Sequence, residues 1–272
     1  MATYTTEHVT EVTHWSPKLF SFHTTRSPTL RFENGQFLMI GLEVAGRRVA
    51  RAYSIASANY EEELEFYSII VPGGPLTSRL CAVQPGAPIL ISGKPTGTLV
   101  LRDLRPGRRL FLLATGTGVA PFAALIKDPE TYERFERIVL VRGGRTRQDL
   151  AYGDAALRRL REDPYLGEPA RRQLSDYAAL TREPFARVGR ITELLAGNRV
   201  CGELGLPPLD PAADRVMICG NMGMLADARA LLDARGFSAS PAIGCLGDYV
   251  FERAFVDAVE SHAAPLRQAS GA

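Results

Sequence analysis

Lysine is nearly missing from this chain of 272 residues, standing only at Lys18, Lys94 and Lys127; almost all the positive charge is arginine. The formal net charge is only +2, so no global excess of charge argues for a nucleic-acid partner. Arginine in this proportion suits bidentate contacts to phosphates and carboxylates, although GC-rich coding produces the same bias. Cysteine is also scarce. Cys81, Cys201, Cys219 and Cys245 form no CxxC pair, and His8, His14, His23 and His262 are scattered. A structural zinc or a built-in iron–sulfur cluster is therefore not expected, and the expected metal content is none. No apolar run approaches the roughly 20 residues of a membrane-spanning helix. The first residues, Met1 to Glu7, lack a basic segment followed by an apolar core, so no signal peptide is expected. Free cysteines without an export signal favour the cytoplasm. What remains is 46% hydrophobic and 23% charged, the ordinary make-up of a soluble globular protein of one large or two smaller domains, expected to be a monomer.

The first hundred residues read as short strands. Leu19–Thr24 alternates, residues 35–42 follow an Asn34-Gly35 turn, and residues 51–56 and 64–71 supply two more. Turn signals at Ala45-Gly46, Pro72-Gly73-Gly74 and Pro85-Gly86 separate them, and a short helix is predicted over about 75–83. This spacing predicts a closed antiparallel Greek-key β-barrel. Near Pro106-Gly107 the pattern changes. Strands at 109–114, 138–142, 177–181, 215–219 and 248–253 alternate with helices after Pro121, over 150–163, from Arg190 and over 224–235. That alternation predicts an α/β doubly wound parallel sheet. The expected division is a barrel domain over residues 1–103, a nucleotide domain over 104–257 and a loose tail over 258–272.

Five segments carry chemistry. In Arg51-Ala52-Tyr53-Ser54, positions 51 and 53 share one face of a strand, so a cation for a pyrophosphate and an aromatic face for a flavin lie together. An ordinary edge strand with a solvated arginine fits the same residues. Gly74-Pro75-Leu76-Thr77-Ser78 reads as an anion site at a helix start or as a plain helix cap. Thr115-Gly116-Thr117-Gly118-Val119-Ala120-Pro121 follows a strand and opens a helix, the context of a pyrophosphate loop, which any tight strand-to-helix turn also presents. After the second parallel strand, where an NAD site places an acid, this chain has Arg142, Arg145 and Arg147; with Arg182 and Arg190 these suit a 2′-phosphate, or else are solvated surface arginines. Cys219 ends a strand at the ligand-binding edge of the sheet, where it is either an active-site thiol or a core cysteine.

Together these segments resemble bacterial ferredoxin–NADP+ reductases, over roughly residues 7 to 257. Longer stretches carry the likeness: residues 30–37, 51–57 and 74–80, Lys94-Pro95-Thr96-Gly97-Thr98-Leu99-Val100, residues 114–122, and Glu252-Arg253-Ala254-Phe255-Val256. The resemblance implies an FAD-binding barrel followed by an NADP-binding domain. It implies that Arg51, Ala52, Tyr53 and Ser54 hold the flavin, and that Tyr67, Ser68, Ile69 and Val71 line its ribityl and adenosine side. Gly74, Leu76, Thr77 and Ser78 would bind the FAD pyrophosphate. Thr115, Gly116, Thr117 and Gly118 would lie between the cofactors. Arg145, Thr146, Arg182 and Arg190 would clamp the 2′-phosphate, with Asp227 nearby. Ser54, Cys219 and Glu252 would form the polar catalytic set, under a cover of Ala254 and Phe255.

The implied activity is exchange of hydride from NADPH for single electrons to or from an acidic ferredoxin or flavodoxin. Another NAD(P)H-dependent flavin or cytochrome reductase, or a non-catalytic flavin-binding subunit, is the alternative. An acidic carrier calls for a basic face, expected at the flavin edge from Arg47, Arg48, Lys94, Arg102, Arg105, Arg108 and Arg109. Three features depart from the pattern: the chain runs on past Val256, Gly143-Gly144 is bare, and residues 244–247 lack charge.

Overall fold

The computed structural model describes residues 3–254; Phe255 and the 258–272 tail lie outside them. Six strands build the first unit: β1 (Tyr4–Ser16), β2 (Leu19–Thr24), β3 (Phe37–Val44), β4 (Arg47–Ser54), β5 (Leu64–Ile69) and β6 (Pro88–Ser92), with a one-turn helix, α1 (Thr77–Leu80), before the last. They pair antiparallel in the order β4-β3-β6-β1-β2-β5. The two edges meet where Ile55 bridges Phe66 and the Ala56 N–H donates to the Glu65 carbonyl at 2.8 Å, which closes the barrel. Phe20, Phe22, Leu38, Ile40, Ile55 and Phe66 fill the interior.

The second unit alternates strand and helix. Its elements are β7 (Arg109–Thr115), α2 (Ala120–Leu125), α3 (Pro129–Arg134), β8 (Arg137–Gly144), α4 (Ala151–Glu162), α5 (Gly167–Gln173), β9 (Leu174–Leu180), α6 (Ile191–Ala196), α7 (Arg199–Glu203), β10 (Asp214–Gly220), α8 (Met222–Ala234) and β11 (Tyr249–Arg253). All five strands are parallel, in the order β11-β10-β7-β8-β9. The order reverses between β7 and β10, and a crevice opens at the carboxyl ends of strands at such a point. One face of the sheet buries Val139, Val141, Ile218 and Leu232 with α6, α7 and α8. The other face packs against α2 to α5 and also takes in Leu19, Ala56, Tyr67, Leu99 and Leu101 from the barrel. The two units therefore share a core.

Two barrel strands escape the sequence reading. β1 is mostly half-buried or exposed, with few apolar residues, and divides its length between β6 and β2 through register shifts near Val9 and His14. Its richness in threonine and valine was the available signal. β6 is only five residues long and begins on a proline, a position that needs no ladder donor. Other elements differ in length. Residues 75–83 form a single turn over Thr77–Leu80, and the third parallel strand starts earlier, at Leu174.

The far end of the parallel sheet is tied by a buried ion pair. The Arg109 guanidinium donates to both Asp214 carboxylate oxygens, 2.6 Å for Nη2, and to the carbonyls of Pro207 and Pro208 at 2.9 and 3.0 Å. Asp214 is wholly buried. Asp214→Ala leaves the Arg109 charge buried without its partner and should cost about 3–5 kcal/mol of unfolding free energy, read by urea denaturation. A loss below about 1 kcal/mol would mean that water reaches the site and solvates Arg109.

Candidate active site

β7 and β10 lie side by side, so Thr115 and Gly220 at their ends flank the switch point. The chain approaches itself closely there. A side chain at Gly118 would run into the Cys219 carbonyl, and one at Gly220 into the Thr115 hydroxyl. The backbone clash makes Gly118 a position only glycine fills, whereas at Gly220 the Thr115 side chain would have to move. The Asn221 side-chain oxygen caps α8 by accepting the Met224 N–H at 3.0 Å.

A cleft of about 870 Å³, open mouth included, lies where this edge meets the barrel. Its barrel wall is Arg51, Ala52, Tyr53 and Ser54, then Tyr67, Ser68, Ile69 and Val71, then Gly74, Leu76 and Thr77. Thr117 closes it from the nucleotide unit. Four further positions line it, Pro75, Ala120, Arg253 and Ala254, of which the sequence reading gave only Ala254 a cofactor role. Arg253 was legible as the residue next to Glu252 on β11, since neighbours on a strand face opposite sides.

Within the wall, Tyr53 is buried, hydrogen-bonds Ser68 through the two hydroxyls at 3.1 Å, and meets the rings of Phe22 and Phe66 edge-on. Burial pushes its phenol up. Arg51 is exposed and, among the described residues, its side chain donates to the Ala50 carbonyl alone, at 2.8 Å. The Tyr67 hydroxyl is buried with no hydrogen-bond partner among the described residues. Thr77 Oγ1 accepts the Val71 N–H at 3.1 Å, which fixes the turn. Ser78 is exposed, donates to the Gly74 carbonyl at 2.6 Å, and does not line the cleft.

The arginines divide sharply. Arg142 is buried, its guanidinium held by Asp176 and Asp154 at 2.7 Å and laid over Gly153. It is thus a structural cation and not part of a phosphate clamp. Arg147 is spent on the Pro184 carbonyl (3.0 Å) and the Phe185 ring. Arg145 and Arg182 are exposed without an ion-pair partner among the described residues, and their loops are stitched together: the Arg182 N–H donates to the Arg145 carbonyl at 3.0 Å. The Asp149 carboxylate holds the N–H groups of Arg145 and Thr146 at 2.7 and 3.0 Å. Arg190 precedes α6 and reaches Glu193 at 4.0 Å. Asp227 is exposed on α8 and does not line the cleft.

Cys219 and Glu252 pair across β10 and β11. Cys219 is fully buried in the shared core, and burial, then the Glu252 charge, push its thiol well up. The Glu252 carboxylate accepts the Thr98 N–H and, at 3.1 Å, the Thr98 hydroxyl. Burial raises its carboxyl above the ordinary value against these hydrogen bonds.

Comparison with known proteins decides the family. The oxidoreductase FAD-binding domain family matches residues 6–100, and the oxidoreductase NAD-binding domain family matches residues 112–230. A ferredoxin–NADP reductase of Pseudomonas aeruginosa is 53% identical over 94% of this chain and 100% of its own length. The chain belongs to the ferredoxin–NADP reductase family. A second member, ferredoxin–NADP reductase A of Sorangium cellulosum, is 55% identical over 99% of this chain and 95% of its own. The crystal structure of the Neisseria gonorrhoeae ferredoxin NADP+ reductase with bound FAD and NADP superposes with a TM-score of 0.83 at 30% identity, covering 94% of this chain and 100% of that one. The cofactors of a ferredoxin–NADP reductase fit the residues here. The cleft joins apolar walls, an unpartnered tyrosine hydroxyl and two exposed arginines, which suits a flavin ring with a pyrophosphate. Among the described residues no helix is long and apolar enough to cross a membrane, and no side-chain cluster has a metal-binding arrangement.

A carboxyl with a raised folded pKa stabilises the fold most when protonated, and that contribution is lost as the pH rises through the folded value. For Glu252 this window begins at the ordinary 4.5 and extends upward. Glu252→Gln keeps the hydrogen-bond acceptor and removes the buried charge. Its stability relative to the unaltered protein should rise between about pH 4 and pH 8, read by thermal melts across that range. A difference that falls with pH would mean a well-paired carboxylate instead.

Proposed function

We propose that this chain transfers electrons between NADPH and an acidic one-electron carrier, ferredoxin or flavodoxin, through bound FAD, as a monomer in the cytoplasm. The observation that carries the reading is a cleft built jointly by the barrel and the switch point of the parallel sheet. FAD supplies the exchange between a two-electron hydride and single electrons. The chain's own residues bind, orient and exclude water. A division at residues 103/104 into FAD and NADP domains agrees with the change from antiparallel to parallel sheet.

Arg51 and Arg253 are placed for the FAD pyrophosphate, Tyr53 and Ser54 for the flavin ring and its N5 edge, and Thr77 for the turn beneath. The glycine turn at Thr115 to Gly118 brings backbone N–H groups to the junction of the cofactors. Arg145 and Arg182, on stitched loops, form the 2′-phosphate clamp, with Thr146 and Arg190 beside it. Glu252 is the carboxyl at the nicotinamide end that exchanges a proton, its pKa raised by burial, and the Cys219 thiol beside it, pushed well up, adds no competing charge.

The docking face is smaller than the sequence suggests. Arg108 and Arg109 stand at the opposite end of β7, roughly 20 Å from Thr115 by strand rise. Arg102 is paired with Glu33 and Arg105 with Asp248. Arg47, Arg48 and Lys94 stay exposed and, with Arg51 and Arg253, supply the positive rim.

Anaerobic titration of the purified yellow holoprotein with NADPH and NADH tests the proposal. NADPH should reduce the flavin with a preference of at least about 100-fold, and Arg145→Ala with Arg182→Ala should remove most of it. A colourless protein that takes up no FAD, or equal use of both nucleotides, refutes the assignment. Electron transfer to ferredoxin or flavodoxin should fall steeply with ionic strength while ferricyanide reduction changes little. Transfer to free flavin alone would place the chain among flavin reductases.

A further inference from the structure

An aromatic cluster centred on Tyr152 crosses the domain junction, and Tyr152 is used by none of the roles above. Tyr152, in the first turn of α4, is fully buried. Its ring lies flat on Tyr67, with centroids 4.1 Å apart and planes at 9°. Trp15 of β1, the single tryptophan of the chain, meets it edge-on at 5.6 Å and 83°. Tyr67 in turn lines the flavin cleft. The position of one cleft wall is thus set by a residue of the nucleotide domain.

Tyr152 is also bound to the other end of the dinucleotide site. The next residue, Gly153, carries the Arg142 guanidinium against its Cα, and Arg142 donates to the Leu150 carbonyl at 3.1 Å. A second, smaller cleft of about 210 Å³ is lined there by Gly143, Asp149, Leu150 and Gly153. Asp149 is the carboxylate that holds the Arg145 and Thr146 N–H groups. Its charge also raises the Tyr67 phenol, after burial itself. A tight turn of fewer than ten residues therefore runs from the clamp loop to Tyr152, with no slack between.

We infer that Tyr152 is a positioning residue: stacked on Tyr67, it transmits occupation of the 143–149 loop to the wall of the flavin cleft. The inference rests on the reading of that loop as the 2′-phosphate end of the NADP site. Parallel rings in a dry, close-packed interior move together, because sliding them apart opens a void. A shift of α4 on filling the loop is then felt at Tyr67.

The probe is 2′-phospho-AMP, which fills the adenosine end and has no nicotinamide to touch the flavin. Holoprotein is titrated by calorimetry, by circular dichroism of the flavin bands and by Trp15 fluorescence. In the unaltered protein and in Tyr152→Phe, which keeps the stack, binding should change both the flavin bands and the Trp15 emission. In Tyr152→Leu the affinity should stay within about 3-fold while the flavin response disappears, and hydride transfer in stopped flow should slow by about 10-fold or more. The relay is overturned if the ligand binds the unaltered protein without a flavin response, if Tyr152→Leu keeps the response, or if Tyr152→Phe loses it. No calorimetric binding would instead refute the clamp reading, and the stopped-flow rate of Tyr152→Leu then decides the relay alone: an unchanged rate overturns it. Tyr152→Phe guards against a misfolded leucine variant, since it tests the same stack with the volume intact.

Discussion

Burial of barrel side chains in the core of the parallel sheet is the constraint on which the active site depends. A cleft between two independently folded units has no fixed width unless something holds them. Here Leu19, Ala56, Tyr67, Leu99 and Leu101 are removed from water together with residues of β7, β10, α2 and α4. That shared apolar area is non-directional and makes separation costly. Direction comes from polar contacts around it. Lys127 reaches Glu61 at 2.7 Å, Asn34 donates to Asp128 at 2.8 Å, and the Gly247 N–H donates to the Asp103 carbonyl at 2.9 Å. The hydroxyl of Thr98 donates to the Phe251 carbonyl at 2.9 Å. With rotation and separation both opposed, two rings bound in the cleft are held at a defined distance by the fold itself.

Arginine does two jobs in this chain, and the sheet sorts them. Arg109, Arg142 and Arg215 are buried, their forks filled by carboxylates and carbonyls that fasten strand ends and loops. Arg51, Arg145, Arg182 and Arg253 stand exposed around the cleft and the nucleotide loops. A planar guanidinium serves either task, because its donors match a carboxylate and a phosphate equally well. The partner decides. Arg142 finds Asp154 and Asp176, whereas Arg145 has no carboxylate within reach of its side chain among the described residues.

That distinction shows where sequence reading stops. The alternation of strands and helices, the glycine turn after β7 and the Arg51–Ser54 strand are local patterns, and each was visible in the order of residues. The fate of Arg142 depends on residues 12 and 34 positions away, and that of Arg109 on one 105 positions away. No local rule separates these from Arg145. β1 was lost for a related reason: its partners lie on two sides, so its burial follows no simple alternation. The lining role of Arg253 and the placement of Tyr152 depend on which face of an element meets the other domain. Phe255, read as part of the flavin cover, lies outside the described residues.

The contact between Thr98 and Glu252 joins proton chemistry to this architecture. Gly97, at φ +146°, lets the loop before Thr98 pass against the carboxylate, where a side chain would collide with Glu252 Oε1. The Thr98 hydroxyl has one proton and two acceptors in reach, the Phe251 carbonyl and Glu252 Oε1. An ionised Glu252 draws that proton, since hydrogen bonds to charged acceptors are the stronger kind. A protonated one leaves it to the carbonyl. Because burial raises the Glu252 carboxyl, the two arrangements lie closer in free energy at neutral pH than they would in water. Proton uptake at the end of β11 therefore changes a hydrogen bond across the same junction that sets the cleft, and the strand that carries Glu252 also carries Arg253 and leads into Ala254 on the cleft wall.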